Sequence, residues 1–501
     1  MARKLTTIAA AAAATLMPAA AWADWREAET AHFQIYSDGG ESQLIDYAQR
    51  LEGLDQLLLK ATATPADLPP SKVRVILFPT VAQVRHAYHG HDRDIAGFYT
   101  VNMQGPIAIS TRGQDKSDEN WGPDVTLFHE YAHHFMLEYL PATYPAWYVE
   151  GFAEIAATAS MMSGGRMMYG KAADHRGWSL TSSRWVPVPE LLNATYASFP
   201  QDADFYGESW LLAHYLTFSQ KRAGQLRKYL TELGAGVPSD KAAADAFGDL
   251  NQLSQEVHAY LEGGSFPARA VPIALPTRES IRIRTLSAGE ADLMPETAAF
   301  EENLTKEPMA AYLAELKAKV ARYPDEPYAL QLLADAEYAA DDFAGAAATV
   351  DKLLKLAPDS VAGRVRKGMI LLHAAEELEG AARQSKIDEA RHLIVAANKA
   401  APEDPRPLIA YYWSFRTAGE RPPPQAVEGL LQAVSTVPQD PGPRMILVEE
   451  LIREGKLADA IYYLGPIAYD PHGGQGENSA LSLINQLKQR LAAAKAGRPA
   501  P

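Results

Sequence analysis

The 501-residue sequence contains no cysteine. This excludes disulfides, a thiolate nucleophile and any thiolate metal site, so a metal held by this chain must rely on histidine and carboxylates. Positive charge is also scarce: 47 Lys and Arg stand against 62 Asp and Glu, for a formal net charge of −15. A phosphate backbone calls for basic surface, which argues against a nucleic-acid partner. No stretch beyond the N-terminus approaches membrane-spanning length. The one apolar run there, Ile8 to Met17, is alanine-rich and broken at Pro18, which makes a poor spanning helix. Arg3 and Lys4 precede it and Ala21-Trp22-Ala23 follows, so residues 1–23 read as a cleavable signal peptide, with an uncleaved anchor as the rival. The expected mature chain has no stable membrane span and is exported, to a bacterial periplasm or outside the cell. The absence of cysteine is compatible with a periplasm without establishing it.

The sequence does carry His129-Glu130-Tyr131-Ala132-His133, followed by Trp147-Tyr148-Val149-Glu150-Gly151-Phe152-Ala153-Glu154. Positions four apart on a helix share a face, so His129 and His133 can turn both imidazoles to one ion. Glu130, between them, can reach a metal-bound water. Two nitrogen ligands, a base and an open side make up the chemistry of a zinc hydrolase. Pro141 and Pro145 oppose helix continuation, so a second helix begins near Ala146. It offers Glu150 to the open side of the metal as a third ligand. Glu154, one turn on, is placed to accept from the far nitrogen of a ligand histidine. Zinc is the expected ion, although the residue set alone leaves manganese and iron open. His134 points about 100° away from His133 and reads as a neighbour of the site. His86, His89 and His91 lack metal-ligand spacing and read as a polar loop. Trp147 reads as a packing residue.

The two segments together resemble the gluzincin zinc peptidases, and more narrowly the bacterial peptidase MA-like proteins with helical repeats behind the catalytic unit. The likeness spans about residues 128 to 216. It implies Glu150 as third ligand and Glu154 as its second acid. In Phe205-Tyr206-Gly207-Glu208-Ser209-Trp210, it implies Tyr206 as donor to the oxyanion, a role for which Tyr215 competes. Aminopeptidases of the group bind the free amine through a glutamate on a strand. The corresponding stretch here, Gly97 to Ser110, has none, which favours an endopeptidase over an aminopeptidase. The resemblance also implies a strand along the cleft that pairs with extended substrate, and Ile107 to Ser110 is the expected one. A third reading is an inactive, zinc-stabilised scaffold that works only through its repeats. The intact Glu130 argues against it.

The expected fold class is an α+β zincin-like catalytic unit followed by an all-α tetratricopeptide-like helical repeat domain. Residues 24–115 form its N-terminal α/β part and 116–265 its helical metal-binding part. Residues 266–300 are a connector and 301–490 the repeats. Strands are expected at His32 to Ser37, Lys72 to Phe78, Phe98 to Val101 and Ile107 to Ser110, with a turn at Gly105-Pro106. The repeats are read from Pro324, Pro358, Pro402, Pro438 and Pro471, spaced 34, 44, 36 and 33, with alanine-rich helical pairs between them. The long 44-residue interval predicts an insertion near Glu376 to Lys386. Stacked repeats present a groove for a peptide or protein partner.

Overall fold

The computed structural model describes residues 25–66, 72–88, 97–112, 123–140, 144–194, 198–200, 202–235, 237–301, 306–468 and 479–495. The signal-peptide segment, Pro141, His89, His91 and Pro471 lie outside the described residues. Among the described residues no helix is long and apolar enough to cross a membrane.

Among the described residues, nine strands form two sheets. They are β1 (Arg26–Glu29), β2 (Phe33–Ser37), β3 (Val73–Phe78), β4 (Gly97–Asn102), β5 (Gly105–Thr111), β6 (Ser160–Met162), β7 (Arg166–Tyr169), β8 (Arg269–Pro272) and β9 (Arg282–Thr285). The larger sheet runs β4-β5-β3-β2-β1-β9, and β6-β7-β8 form the smaller one. β2, β3 and β5 are mutually parallel, whereas β4, β1 and β9 join antiparallel. The parallel pair β2 and β3 is linked by the Glu41–Thr62 helix, as a crossover requires.

Strand β3 explains the sheet's depth. Val73, Val75 and Leu77 enter one core with the Glu41–Thr62 and Pro123–Tyr139 helices. Ile76 and Phe78 enter another with Val84, Ala87, Met294 and Ala298. A strand covered on both faces reads as a near-continuous apolar run, which Val73-Arg-Val-Ile-Leu-Phe78 is.

Two strand expectations need correction. Ile107 to Ser110 lies within β5, which is paired on both sides, by β4 and by β3, so its main-chain groups are already used. The outer edge belongs to β4. The hairpin turn falls at Met103 and Gln104, with Gly105, at φ +103, opening β5. The connector 266–300 packs on the sheets through strands: β8 pairs with β7, and β9, at the strand-like Ile281-Arg-Ile-Arg284, extends the main sheet beside β1.

From Lys306 onward the described chain has only helices as regular elements, ten of them, each packed against the next. This is a tetratricopeptide-like helical repeat region. Pro324, Pro358, Pro402 and Pro438 each fall three residues before a helix start, at Pro327, Val361, Pro405 and Pro441. Asp404 and Asp440 then cap the new helices, accepting from Arg406 N at 2.9 Å and Gly442 N at 2.8 Å. The 44-residue interval holds no inserted loop. Its extra residues lengthen Gly380–Ala400 into a 21-residue helix.

The segment that leads into the repeats docks on the sheet through Glu301, at the end of the Met294–Phe300 helix. Arg74 of β3 forms a two-pronged pair with Glu301, which is 2% exposed, at 2.5 and 3.0 Å. Asn102 of β4 donates to the same carboxylate.

Candidate metal centre

The Pro123–Tyr139 helix buries Leu127, Phe128, Tyr131, Ala132, Phe135 and Met136. That packing fixes its rotation, so His129 and His133 emerge together towards the Ala146–Ala157 helix. The second helix starts on Pro145 and is anchored by Trp147, fully buried against Tyr229.

His129, His133 and Glu150 have donor atoms within 4.8 Å of one another. The two Nε2 atoms stand 3.1 Å apart. Glu150 Oε2 lies 3.3 Å from Nε2 of His129, and Oε1 lies 3.6 Å from Nε2 of His133. Tetrahedral zinc with bonds of about 2.0–2.1 Å has ligand–ligand edges of about 3.3–3.4 Å. The donor triangle therefore fits such an ion, with two imidazole nitrogens and one carboxylate facing a common point. Glu150 has no exposed surface. Burial pushes the His129 imidazole down, but the hydrogen bonds it donates to Glu150 and Glu154 prevail and hold it up at about 10.

Glu154 faces the other side of His129. Its Oε1 lies 3.4 Å from Nδ1, which leaves Nε2 for the metal side. The same carboxylate is held by Arg176, at 2.6 and 3.1 Å, and by Nε2 of His175, at 2.6 Å. Burial would raise the Glu154 pKa, but the hydrogen bonds from His129 and His175, together with His129 and Arg176 charge, keep it well below the usual carboxylate range. His175 and Arg176 carry no signal in the sequence, since they follow the β6–β7 hairpin in a short turn with no periodicity.

Tyr206 opens the Phe205–Phe218 helix, and its ring centroid is 6.1 Å from that of His129. Tyr215 instead bonds Glu256 at 2.9 Å, so the geometry separates the two tyrosines. Tyr206 owes its place to Gly151. A Cβ there would sit 2.4 Å from Ser209 O and 2.6 Å from Ala213 Cβ, so only glycine lets these helices touch. Gly151→Ala is expected to destabilise the protein by about 2 kcal/mol, because backbone must move to admit the methyl. Thermal denaturation checks this.

Glu208 on the same helix accepts from Val186 N at 2.9 Å, and burial raises it from 4.5 to about 8. A raised acid stabilises the fold fully below its unfolded pKa and loses that contribution as pH climbs through its folded pKa. Stability should therefore decline between pH 4.5 and 8. Glu208→Gln should flatten that decline, with little change at about pH 4 and a gain of about 2 kcal/mol at about pH 8. Denaturant titrations at the two pH values decide it.

Glu130 follows His129 on the same helix. Burial of the Tyr99 ring, with the charges of Glu138 and Glu130, raises the Tyr99 hydroxyl. Tyr99 is on β4, the outer strand of the sheet among the described residues, so that strand runs near Glu130. His134 is 2% exposed and stands outside the donor triangle. Its Nδ1 meets Tyr99 OH at 3.2 Å and Gln439 Nε2 at 3.0 Å, and burial pushes the imidazole down to about 3. Gln439 also donates to Glu138 at 2.9 Å, so the repeats reach the metal-site helix across 305 residues of sequence.

A second group, His32, Glu52 and Asp55, was not legible in the sequence. Here Glu52 takes His32 Nδ1 at 2.9 Å, Asp55 lies 3.6 Å from Nε2, and Tyr131 donates to Asp55 at 2.7 Å. It is a hydrogen-bonded strut that ties the His129 helix to the Glu41–Thr62 helix. Of the expected histidine loop, His86 lies in the last turn of the Val81–Ala87 helix.

No protein-family model and no curated protein matches the chain. Among solved structures it is similar to TTC0263, a thermophilic TPR protein of Thermus thermophilus, with 17% identity and a TM-score of 0.33 over 40% of this chain and 99% of that one. It is also similar to pilF of Pseudomonas aeruginosa, with 16% identity and a TM-score of 0.31 over 42% and 85% of the two chains. MamA of Desulfovibrio magneticus follows at 19% identity and a TM-score of 0.25, over 36% and 85%.

Proposed function

We propose that this chain is an exported zinc-dependent peptidase of gluzincin type, with a zincin-like catalytic unit and repeats that bind its substrate or a partner protein. The observation that carries the reading is the donor cluster of His129, His133 and Glu150, whose ligand atoms lie within 4.8 Å of one another, with the two imidazole Nε2 atoms 3.1 Å apart. These three residues would hold the ion. Zinc, when bound, would polarise the scissile carbonyl and acidify a water. Glu130 would take the water's proton on its carboxylate and return it to the leaving amine. Tyr206 would donate its hydroxyl proton to the oxygen that gains charge. Glu154 would keep His129 in the tautomer that presents Nε2. β4 would offer main-chain groups to extended substrate, replacing Ile107 to Ser110 in that role.

The β4–β5 hairpin carries no glutamate in the place where an amine clamp would stand, which supports internal cleavage over aminopeptidase action. The test is digestion of a mixed peptide library by the mature chain with zinc, beside Glu130→Gln. Internal cuts that vanish in the variant support an endopeptidase. Stepwise loss of N-terminal residues would make it an aminopeptidase, and no cleavage by either form would favour the scaffold reading.

A further inference from the structure

The loop after β7 places one guanidinium between the second acid of the site and the tyrosine proposed to meet the oxyanion. Arg176 gives Nε and Nη2 to Oε1 of Glu154 at 3.1 and 2.6 Å. Its Cζ also stands over the Tyr206 ring, 4.6 Å from the centroid. The backbone is held as well: Arg176 ends the Asp174–Arg176 3₁₀ turn, and its carbonyl accepts from Ser179 Oγ at 3.0 Å. Ser179 in turn reaches Asp204, the N-cap of the Tyr206 helix. Arg176 is thus fixed to both walls of the site.

The charges give this geometry a purpose. Glu130, next to His129 in the sequence, Glu150 and Glu154 give this region three acids, of which Glu150 and Glu154 are 0% and 1% exposed. A divalent ion neutralises two of the three. An unpaired buried charge is strongly unfavourable, so the third needs a cation. Arg176 supplies it on the side away from the donor triangle, so Glu154 stays an acceptor for His129 Nδ1. A guanidinium held over an aromatic ring also limits that ring's tilt.

We infer that Arg176 is a positioning residue of the metal centre, coupling the orientation of the ligand His129, through Glu154, to the placement of Tyr206. This rests on the peptidase reading for Tyr206, but its His129 arm needs only that the triangle holds a metal. The two arms predict different losses. Arg176→Ala removes charge and platform together. Arg176→Lys keeps charge but gives up the planar fork and the stacking face.

The experiment measures zinc affinity by chelator competition, the absorption spectrum of the cobalt-substituted protein, and kcat and KM on a peptide the wild type cleaves. Circular dichroism and melting show which variants are folded. Arg176→Ala should weaken zinc binding about 10- to 100-fold and alter the cobalt bands. Arg176→Lys should recover zinc affinity to within about threefold, since the charge is kept. Its kcat should stay about tenfold down with KM unchanged, as loss of a transition-state contact requires. A residue that merely braced the fold would lower the melting temperature and leave the metal constant and spectrum of the folded protein alone. Wild-type zinc affinity and cobalt bands in Arg176→Ala would overturn the inference. If the wild type binds zinc but cleaves nothing, the peptidase reading fails while the metal measurements still decide the His129 arm. A wild type that binds no zinc overturns both.

Discussion

Glu130→Gln should lower kcat/KM about 10²- to 10⁴-fold, the range supplied by a positioned proton-transfer group, and leave zinc binding intact. The substitution keeps size and hydrogen bonding and removes only the capacity to accept a proton. Glu130 is outside the donor triangle, whose members are His129, His133 and Glu150. Metal content should therefore remain near that of the wild type, and the loss should fall on kcat with KM little changed. Steady-state kinetics on a peptide recovered from the library, with metal analysis of the same preparation, checks both halves. Residual activity within about tenfold of wild type would remove Glu130 from the base role. Loss of zinc along with activity would make it a structural group instead.

The centre was legible in the sequence where its geometry is local. His129 and His133 meet because a four-residue step on one helix returns to the same face, and no tertiary information is needed for that. Glu150 is a different case. Its approach depends on where a second helix packs, and Gly151 decides how near that helix lies to Ser209 and Ala213. The motif recorded the outcome of that packing without showing its cause. Arg176 stands 22 residues beyond Glu154 in an aperiodic turn, and Gln439 305 residues beyond His134, so neither distance nor pattern betrays them. The strands show the same divide. Alternation marked β2 and the apolar run marked β3, but strand order depends on how the chain crosses over, and the sequence pointed to Ile107 to Ser110 as the cleft strand when β4 is the outer one among the described residues. In the repeats the prolines marked helix starts, because proline suits the turn before a helix and opposes its interior. The long interval gave no sign that its residues would extend a helix, since a longer amphipathic run and a short loop differ little in composition.

Glu150→Gln is the second large effect, and it separates metal binding from folding. Removing one of three protein ligands should weaken zinc more than the approximately 10- to 100-fold seen for groups outside the ligand set. The amide has the shape of the acid it replaces, so the core around it should remain packed. In the metal-free wild type, a fully buried Glu150 lies against an imidazole already engaged by Glu154. Neutralising it removes one of two buried carboxylates from that imidazole, so the metal-free variant should melt close to the metal-free wild type. The difference should emerge on adding zinc. A ligand at a concentration about a hundredfold above its Kd stabilises a protein by about 2.7 kcal/mol, and the wild type should show that gain. At the same free zinc concentration the variant, with its Kd raised by more than about a hundredfold, should gain less than about 0.4 kcal/mol. Paired melting curves with and without zinc measure this directly. Equal zinc shifts in the two proteins would mean that the ion binds elsewhere, with His32, Glu52 and Asp55 the group to examine next. A collapse of the metal-free variant would instead mean that Glu150 braces the two helices, and that the triangle is built on a structural ion pair.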